Sequence, residues 1–191
     1  MISPISASFL AHSAAMKIES DSSIAHPVSR VFETYRDRLE DVAAYLDDIR
    51  EIKVLSRKEE GDATRLHNEW ASDKEVPAVA AKFIKPEHLL WDDFAVWYAS
   101  DTRCTWEIKT RAFTEAVRCT GETRLVAHGE GTQVLLRGEL SIDTSAIAGI
   151  PKFLAGRITP QIEKFIVSLV TPNLERTNAA IGRFLDDQAV G

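Results

Sequence analysis

Hydrophobic positions change their period twice along this chain. From Lys17 to Ala25 they alternate weakly, with Ile18 and Ile24 on one face, which predicts a first strand. Pro27 then stands where a helix can begin, because its missing N–H costs nothing at the first helical position. Val28, Val31, Phe32, Tyr35 and Leu39 follow at helical spacing, and Val42, Tyr45, Leu46 and Ile49 predict a second short helix. After that the period drops to two. Segments Ile52–Arg57 and Thr64–Ala71 flank the turn residues Glu60-Gly61-Asp62. In the second segment Leu66, Asn68 and Trp70 share one face, and Arg65, His67 and Glu69 the other. Leu90–Ala99 predicts a strand rich in aromatics: Trp91, Phe94, Trp97 and Tyr98. Cys104, Trp106, Ile108 and Thr110 alternate with polar neighbours, as do Val117, Cys119, Thr123 and Leu125. The Gly129-Glu130-Gly131-Thr132 turn leads into a last strand with Val134, Leu136, Leu140 and Ile142 inward. Strand following strand predicts an antiparallel meander rather than βαβ units. Val76–Ile84, with Pro77 and several alanines, reads as a short helix or an ordered loop.

The tail returns to the helical period. Ile147–Ile158 is apolar, punctuated by glycine and Pro151, and reads as a loop. Thr159-Pro160 and Thr171-Pro172 each look like a helix start, with threonine as N-cap and proline at the first position. Ile162, Phe165, Ile166 and Leu169 form one stripe; Leu174, Ile181, Phe184 and Leu185 form another, rotated from the first. Either one long helix kinked at Pro172 or two helices meeting there accounts for the rotation.

Composition narrows the class. The chain has 191 residues, 45% hydrophobic and 27% charged, the balance of one globular domain with enough apolar material to enclose a cavity. Its net charge of −6 counts against nucleic-acid binding, which rests on clustered positive charge. Residues 1–15 carry no Asp, Glu, Lys or Arg and lack the basic start of a signal peptide. They read as a disordered extension, or as sequence ahead of a true start at Met16, and the chain as cytoplasmic.

Candidate chemistry is sparse. The histidines His12, His26, His67, His88 and His128 show no ligand spacing, so no metal site is expected. No nucleophile elbow, P-loop or dinucleotide fingerprint occurs. His26 reads as a loop residue, and His67 and His128 as solvated. A two-residue turn at Arg111-Ala112 would set Cys104 opposite Cys119, both inward; free buried thiols are the reading favoured over a disulfide. The same register aims Glu115 inward opposite Ile108, where a carboxylate must be neutral or partnered. If the strand begins after Glu115, that residue is exposed. Asn68, inward beside Trp70, must find a hydrogen-bond partner.

Two short motifs carry a family likeness. Ile24-Ala25-His26-Pro27-Val28, followed by Val31-Phe32, and Gly131-Thr132-Gln133-Val134 resemble the strand-to-helix entry and the Gly-Thr-x-Val hairpin of the START-like (SRPBCC) superfamily. With the order of elements, the resemblance covers roughly residues 16–187. It implies an α+β helix-grip fold, in which a curved antiparallel sheet wraps a long C-terminal helix around an apolar cavity, with residues 16–191 as a single domain. On that reading the sheet would offer a ligand Asn68, Trp70, Phe94, Tyr98, Trp106, Glu115, Val117, Cys119, Leu136 and Leu140. The tail would add Phe153, Ile162, Phe165, Ile166 and Leu169. The superfamily is functionally mixed; with no catalytic constellation and an apolar stripe on the C-terminal helix, the resemblance points to a non-catalytic carrier of a small hydrophobic, lipid- or polyketide-like ligand, without cofactor and with at most transient membrane contact. The alternatives are a polyketide cyclase or aromatase, with Glu115, Asn68 and Tyr98 as its polar groups, and a co-chaperone-like interaction module with a packed core. The stretch 146–158 is the expected portal, with Val76–Ile84 as the other choice.

Overall fold

The computed structural model describes residues 15–76, 78, 81, 85, 89–111, 113–143, 146 and 152–190, with side chains of the last helix placed from Pro160 to Ala189. Its strands are β1 (Met16–Ile24), β2 (Ile49–Glu60), β3 (Ala63–Ser72), β4 (Leu90–Tyr98), β5 (Arg103–Thr110), β6 (Val117–His128) and β7 (Gly131–Ile142). The helices are α1 (Val28–Asp37), α2 (Leu39–Val42) and α3 (Lys152–Val190). All seven strands form one antiparallel sheet in the order β1-β7-β6-β5-β4-β3-β2. The sheet is therefore a meander from β2 to β7, with β1 returning to the far edge beside β7. α3 lies against β1, β7, α1 and α2. This is the helix-grip architecture that the element order implied.

The two family-like motifs meet in space. Ile24 pairs with Thr132, the Thr132 hydroxyl donates to the His26 carbonyl at 2.7 Å, and Gly131 lies so close to the Ile24 carbonyl that a Cβ there would sit 2.7 Å from it. Together they turn the chain out of β1 and into α1. Pro27 caps α1 from just outside, its carbonyl accepting from Val31 N–H at 3.1 Å. At Arg38, with φ −128°, the helix breaks and restarts as α2, so Leu39 belongs to the second helix. That helix ends in a 3-10 turn at Tyr45, and Ile49, expected to be helical, is drawn into β2 by pairing with Ser72.

The largest departure is α3. It starts at Lys152, so Lys152–Ile158 is helical where a loop was expected, and neither Thr-Pro pair opens a helix. Its 39 residues span about 58 Å at 1.5 Å per residue. A proline inside a helix leaves the carbonyl four residues back without its N–H. For Pro172 that carbonyl belongs to Ser168, and the Lys74 ammonium donates to it at 2.9 Å. A side chain from just beyond the end of β3 thus fills the place of the missing donor. The portal stretches fall largely outside the described residues: of 146–158 only the backbone course of 152–158 and residue 146 are described, and Val76–Ile84 is mostly undescribed.

A candidate ligand cavity under the helix

The concave face of the sheet carries the expected inward set on β3, β5, β6 and β7, and the core closes over it from α3. Ile162, Phe165, Ile166 and Leu169 are all buried there, as are Val117, Cys119, Leu136 and Leu140. Within this core a cavity of about 80 Å³ remains. The sheet lines it with Trp70 from β3, Trp91, Asp93, Ala95 and Trp97 from β4, Cys104, Trp106 and Ile108 from β5, and Thr123 and Leu136 beyond. Tyr35 and Leu39 close it from α1 and α2; Val170, Asn173, Leu174 and Thr177 close it from α3. All four tryptophans of the chain face this one space.

Its shape has a specific cause. Gly121 and Gly138 are a cross-strand pair on β6 and β7, and Gly121 also pairs with Trp106. A Cβ on Gly121 would lie 2.3 Å from the Trp106 ring, and one on Gly138 2.6 Å from it. The missing side chains leave a shelf for the indole. Trp106 is pinned there by its N–H donating to Thr123 Oγ1 at 3.1 Å. Beyond it Trp70 and Trp91 stack at 5.8 Å, and Trp97 meets Phe32 edge-on and Tyr35 at a tilt, each at 5.3 Å.

One acidic group opens onto these rings. Asp93 pairs with Asn68 in the β3–β4 ladder and accepts from Asn68 Nδ2 at 3.0 Å. Among the described residues no Arg or Lys pairs with it. Burial pushes its carboxyl up to about 6, against opposing pulls from the Asn68 amide, the nearby Trp70 indole and, more distantly, His67. The neighbouring thiols are raised too: Cys104 well above its ordinary value and Cys119 to about 12, by burial first and the Asp93 charge second. Burial likewise raises the Tyr35 phenol. These thiols stay protonated and are poor nucleophiles at neutral pH. Asp93 is the lining group able to exchange a proton near pH 6.

Hydrogen bonding around the cavity is incomplete, with both donors and acceptors left over among the described residues. The Tyr35 hydroxyl is committed to Asn178 Oδ1, and the Thr177 hydroxyl to the Asn173 carbonyl at 2.7 Å. Asn173 donates its amide N–H to the Leu169 carbonyl at 2.7 Å, which leaves its Oδ1 without a partner among the described residues. Asn68 Oδ1 and the indole N–H groups of Trp70 and Trp97 are also unpaired among those residues.

The structure redistributes the expected site residues. Trp70, Trp106 and Leu136 line the cavity; Asn68 stands behind it, bonded to Asp93. Val117, Cys119, Leu140, Ile162, Phe165, Ile166 and Leu169 belong to the packed core around it. Phe94 and Tyr98 do not face it. β4 turns Trp91, Asp93, Ala95 and Trp97 inward, so Phe94 and Tyr98 stand on the convex face. There Phe94 stacks on His67 at 4.4 Å, and Tyr98 lies under Arg103. Glu115 is exposed, because β6 begins only at Val117. The chain between β5 and β6 is longer than a two-residue turn: Phe113 takes φ 61°, and its carbonyl accepts from Ala116 and Val117. Ile108 therefore pairs with Cys119, and Cys104 with Thr123, so the two free cysteines are not opposite each other. His67 is half-buried rather than solvated, bonded to Asp92 at 2.7 Å; His26 bonds Asp186 at 2.8 Å, and His128 is exposed. The side chain of Phe153 lies outside the described residues, as do His12 and His88.

Asp93 is the residue that sequence reading passed over. Both parities of β4 carry aromatics, so hydrophobicity alone did not choose a face. The pair Trp91 and Trp97, on one parity with Ala95, was the available signal.

The residues 19–185 match a family model described as "Protein of unknown function (DUF2505)". No curated protein matches the chain. Among solved structures it is similar to TTHA0849 from Thermus thermophilus, at 20% identity and a TM-score of 0.58, covering 88% of this chain and 95% of that one. It is also similar to the ZhuI aromatase/cyclase from Streptomyces sp. R1128, at 15% identity and 0.58, covering 90% and 96%. A third is norcoclaurine synthase from Thalictrum flavum in complex with dopamine and hydroxybenzaldehyde, at 11% and 0.59, covering 91% and 88%. At these identities the likeness is one of fold, and the shared fold is the helix-grip. Among the described residues no helix is long and apolar enough to cross a membrane.

Proposed function

The chain belongs to the DUF2505 family, whose description leaves activity open, and from its cavity we propose that it binds a small, mainly apolar molecule carrying one polar group. The observation behind this is Asp93: a carboxylate bordering a mainly apolar, tryptophan-rich space, held by the Asn68 amide beside the Trp70 indole and matched by no cation among the described residues. A group of that kind costs stability unless something else uses it. The size of the cavity refines the ligand. At about 80 Å³ it lies below the roughly 300–1,000 Å³ of pockets for drug-sized ligands. A molecule of a few heavy atoms fits this conformation, whereas a lipid or a fused-ring polyketide requires α3 or its flanking segments to move.

A second reading, an enzyme of cyclase or dehydratase type, draws on the same carboxyl. A group that titrates near pH 6 can accept a proton and return it. Glu115 and Tyr98 drop out of that reading, and Asp93 with Asn68 takes their place. Native mass spectrometry of the protein as expressed, with uptake of an apolar dye, tests binding. A retained small mass, or dye uptake displaced by small apolar compounds, supports the binding reading. Absence of both, in a stably folded protein, favours an interaction module. Loss of turnover on Asp93→Asn with ligand binding intact would move the assignment to the enzyme.

A further inference from the structure

We propose that the cavity's ligand is a small organic cation, a protonated amine on an apolar body, with its nitrogen between Asp93 on the sheet and Asn173 on α3. This rests on the binding reading above and narrows it to a chemical class.

Three independent features converge. The first is unmatched charge: Asp93 borders the cavity with Asn68 as its hydrogen-bond partner and no Arg or Lys paired with it among the described residues. The second is the balance of donors and acceptors. On the opposite wall Asn173, 5% exposed, has its amide N–H fixed to the Leu169 carbonyl, so its orientation is set and Oδ1 is left as an unpaired acceptor among the described residues. The hydroxyl donors of Tyr35 and Thr177 are already committed within the protein. The Trp70 and Trp97 indole N–H groups are unpaired donors on the same walls, but the charge of Asp93 and the fixed acceptor of Asn173 together favour a ligand that donates. An ammonium donates up to three hydrogen bonds and carries the missing positive charge.

The third feature is the wall material. Trp70, Trp91, Trp97, Trp106 and Tyr35 all border the same space. The faces of indole and phenol rings attract cations, most strongly where water is excluded. Such rings would accommodate a neutral hydrocarbon equally well, but it would leave the Asp93 charge unmatched and Asn173 Oδ1 without a donor. A carboxylate ligand would meet Asp93 with like charge. Of the three charge types, the cation satisfies the rings, the carboxylate and the free amide oxygen together.

The test compares n-butylamine, n-butanol and butyrate, matched in length, against the full chain at pH 7.5. Intrinsic fluorescence reads binding directly, because every tryptophan lies at the cavity; indole N–H shifts in NMR spectra provide a second reading. Butylamine is expected to bind at least about tenfold more tightly than butanol, and butyrate more weakly than either. Asp93→Asn, nearly isosteric and able to keep the bond from Asn68, should reduce the amine's advantage to threefold or less, with a smaller loss for butanol than for the amine. Asn173→Ala should weaken the amine more than the alcohol. Butanol binding as tightly as butylamine, or an amine preference that survives in Asp93→Asn, overturns the cation assignment and leaves the binding reading standing. If neither these probes nor an apolar dye perturbs the tryptophans, the binding reading falls with it.

Discussion

Asp92 and Asp93 are consecutive residues of β4, and the sheet separates their fates. Asp92 points to the convex face, where it accepts from His67 at 2.7 Å and from Arg111 at 3.3 Å, and Arg111 also reaches Glu69. Burial alone would raise its carboxyl, but the hydrogen bonds from Arg111 and His67 outweigh burial and hold it below its ordinary value. Asp93 points to the concave face, where burial faces no paired cation among the described residues and raises the carboxyl to about 6. The same residue type, one position apart, is stabilised on one side and strained on the other. The convex face is built to neutralise its charges from within, whereas the concave face keeps one uncompensated. On the proposed reading, an outside molecule supplies the missing charge on the concave face.

The comparison extends to aromatics, and there the largest effect is expected. Phe165, 4% exposed in the core under the sheet, should cost about 3–5 kcal/mol when replaced by alanine. Phe94→Ala on the convex face should cost clearly less, because Phe94 is half-buried and its ring partners are the polar side chains of His67 and Lys109. Urea denaturation of both variants checks this. Equal losses would mean that the two faces are not distinguished by packing.

The next effect is one of charge. A carboxyl whose folded pKa lies above its unfolded value destabilises the fold wherever it must be ionised, fully so above about pH 6, and the penalty fades as pH falls toward 4. Asp93→Asn should therefore stabilise the ligand-free protein at pH 7 by up to about 3 kcal/mol, taking 1.36 kcal/mol per pKa unit. The gain should shrink to well under 1 kcal/mol by about pH 4. Denaturation midpoints of the variant and the parent across that range decide it; a gain independent of pH would place the cause elsewhere than ionisation.

Gly121→Ala sets a methyl against the Trp106 ring and should cost about 1–3 kcal/mol, with a change in tryptophan fluorescence as the indole leaves its shelf. Asp92→Asn is expected to have the smallest effect, about 1 kcal/mol or less at pH 7, since its partners are partly exposed and salt screens them. It should also carry the opposite sign to Asp93→Asn. Adjacent substitutions that moved stability in the same direction would remove the basis for treating the two faces as different environments.

Much of the fold was legible from local pattern. The alternation of Leu66, Asn68 and Trp70 placed Asn68 inward, and the structure finds it buried and bonded to Asp93. The turns at Gly61 and Gly129 were readable because a positive φ, 62° and 61° here, favours glycine. The site was less legible. Asp93 and Asn173 appear in no motif, and Asn173 reaches the cavity only because α3 continues through Pro172. Trp106 was readable as inward, but not that Gly121 and Gly138 clear the space it occupies, since those glycines are distant from it in sequence.

The sequence by itself determined the order of elements, the inward parity of β3, β5, β6 and β7, and the position of the tight turns. These follow from side-chain geometry within a few residues: period two in a strand, nearer four in a helix, and glycine where the backbone must turn left-handed. Only the tertiary structure decided the parity of β4, the β5–β6 register, the start of α3 and the cavity itself. β4 presents bulky rings on both faces, so its orientation depends on which face its neighbours bury. The β5–β6 register depends on a connection longer than a two-residue turn, in which Phe113 adopts φ 61°. The passage of α3 through Pro172 depends on a donor from Lys74 that local sequence does not reveal. Each of these is set by partners far along the chain, whose free energies outweigh the weak local preferences a sequence displays.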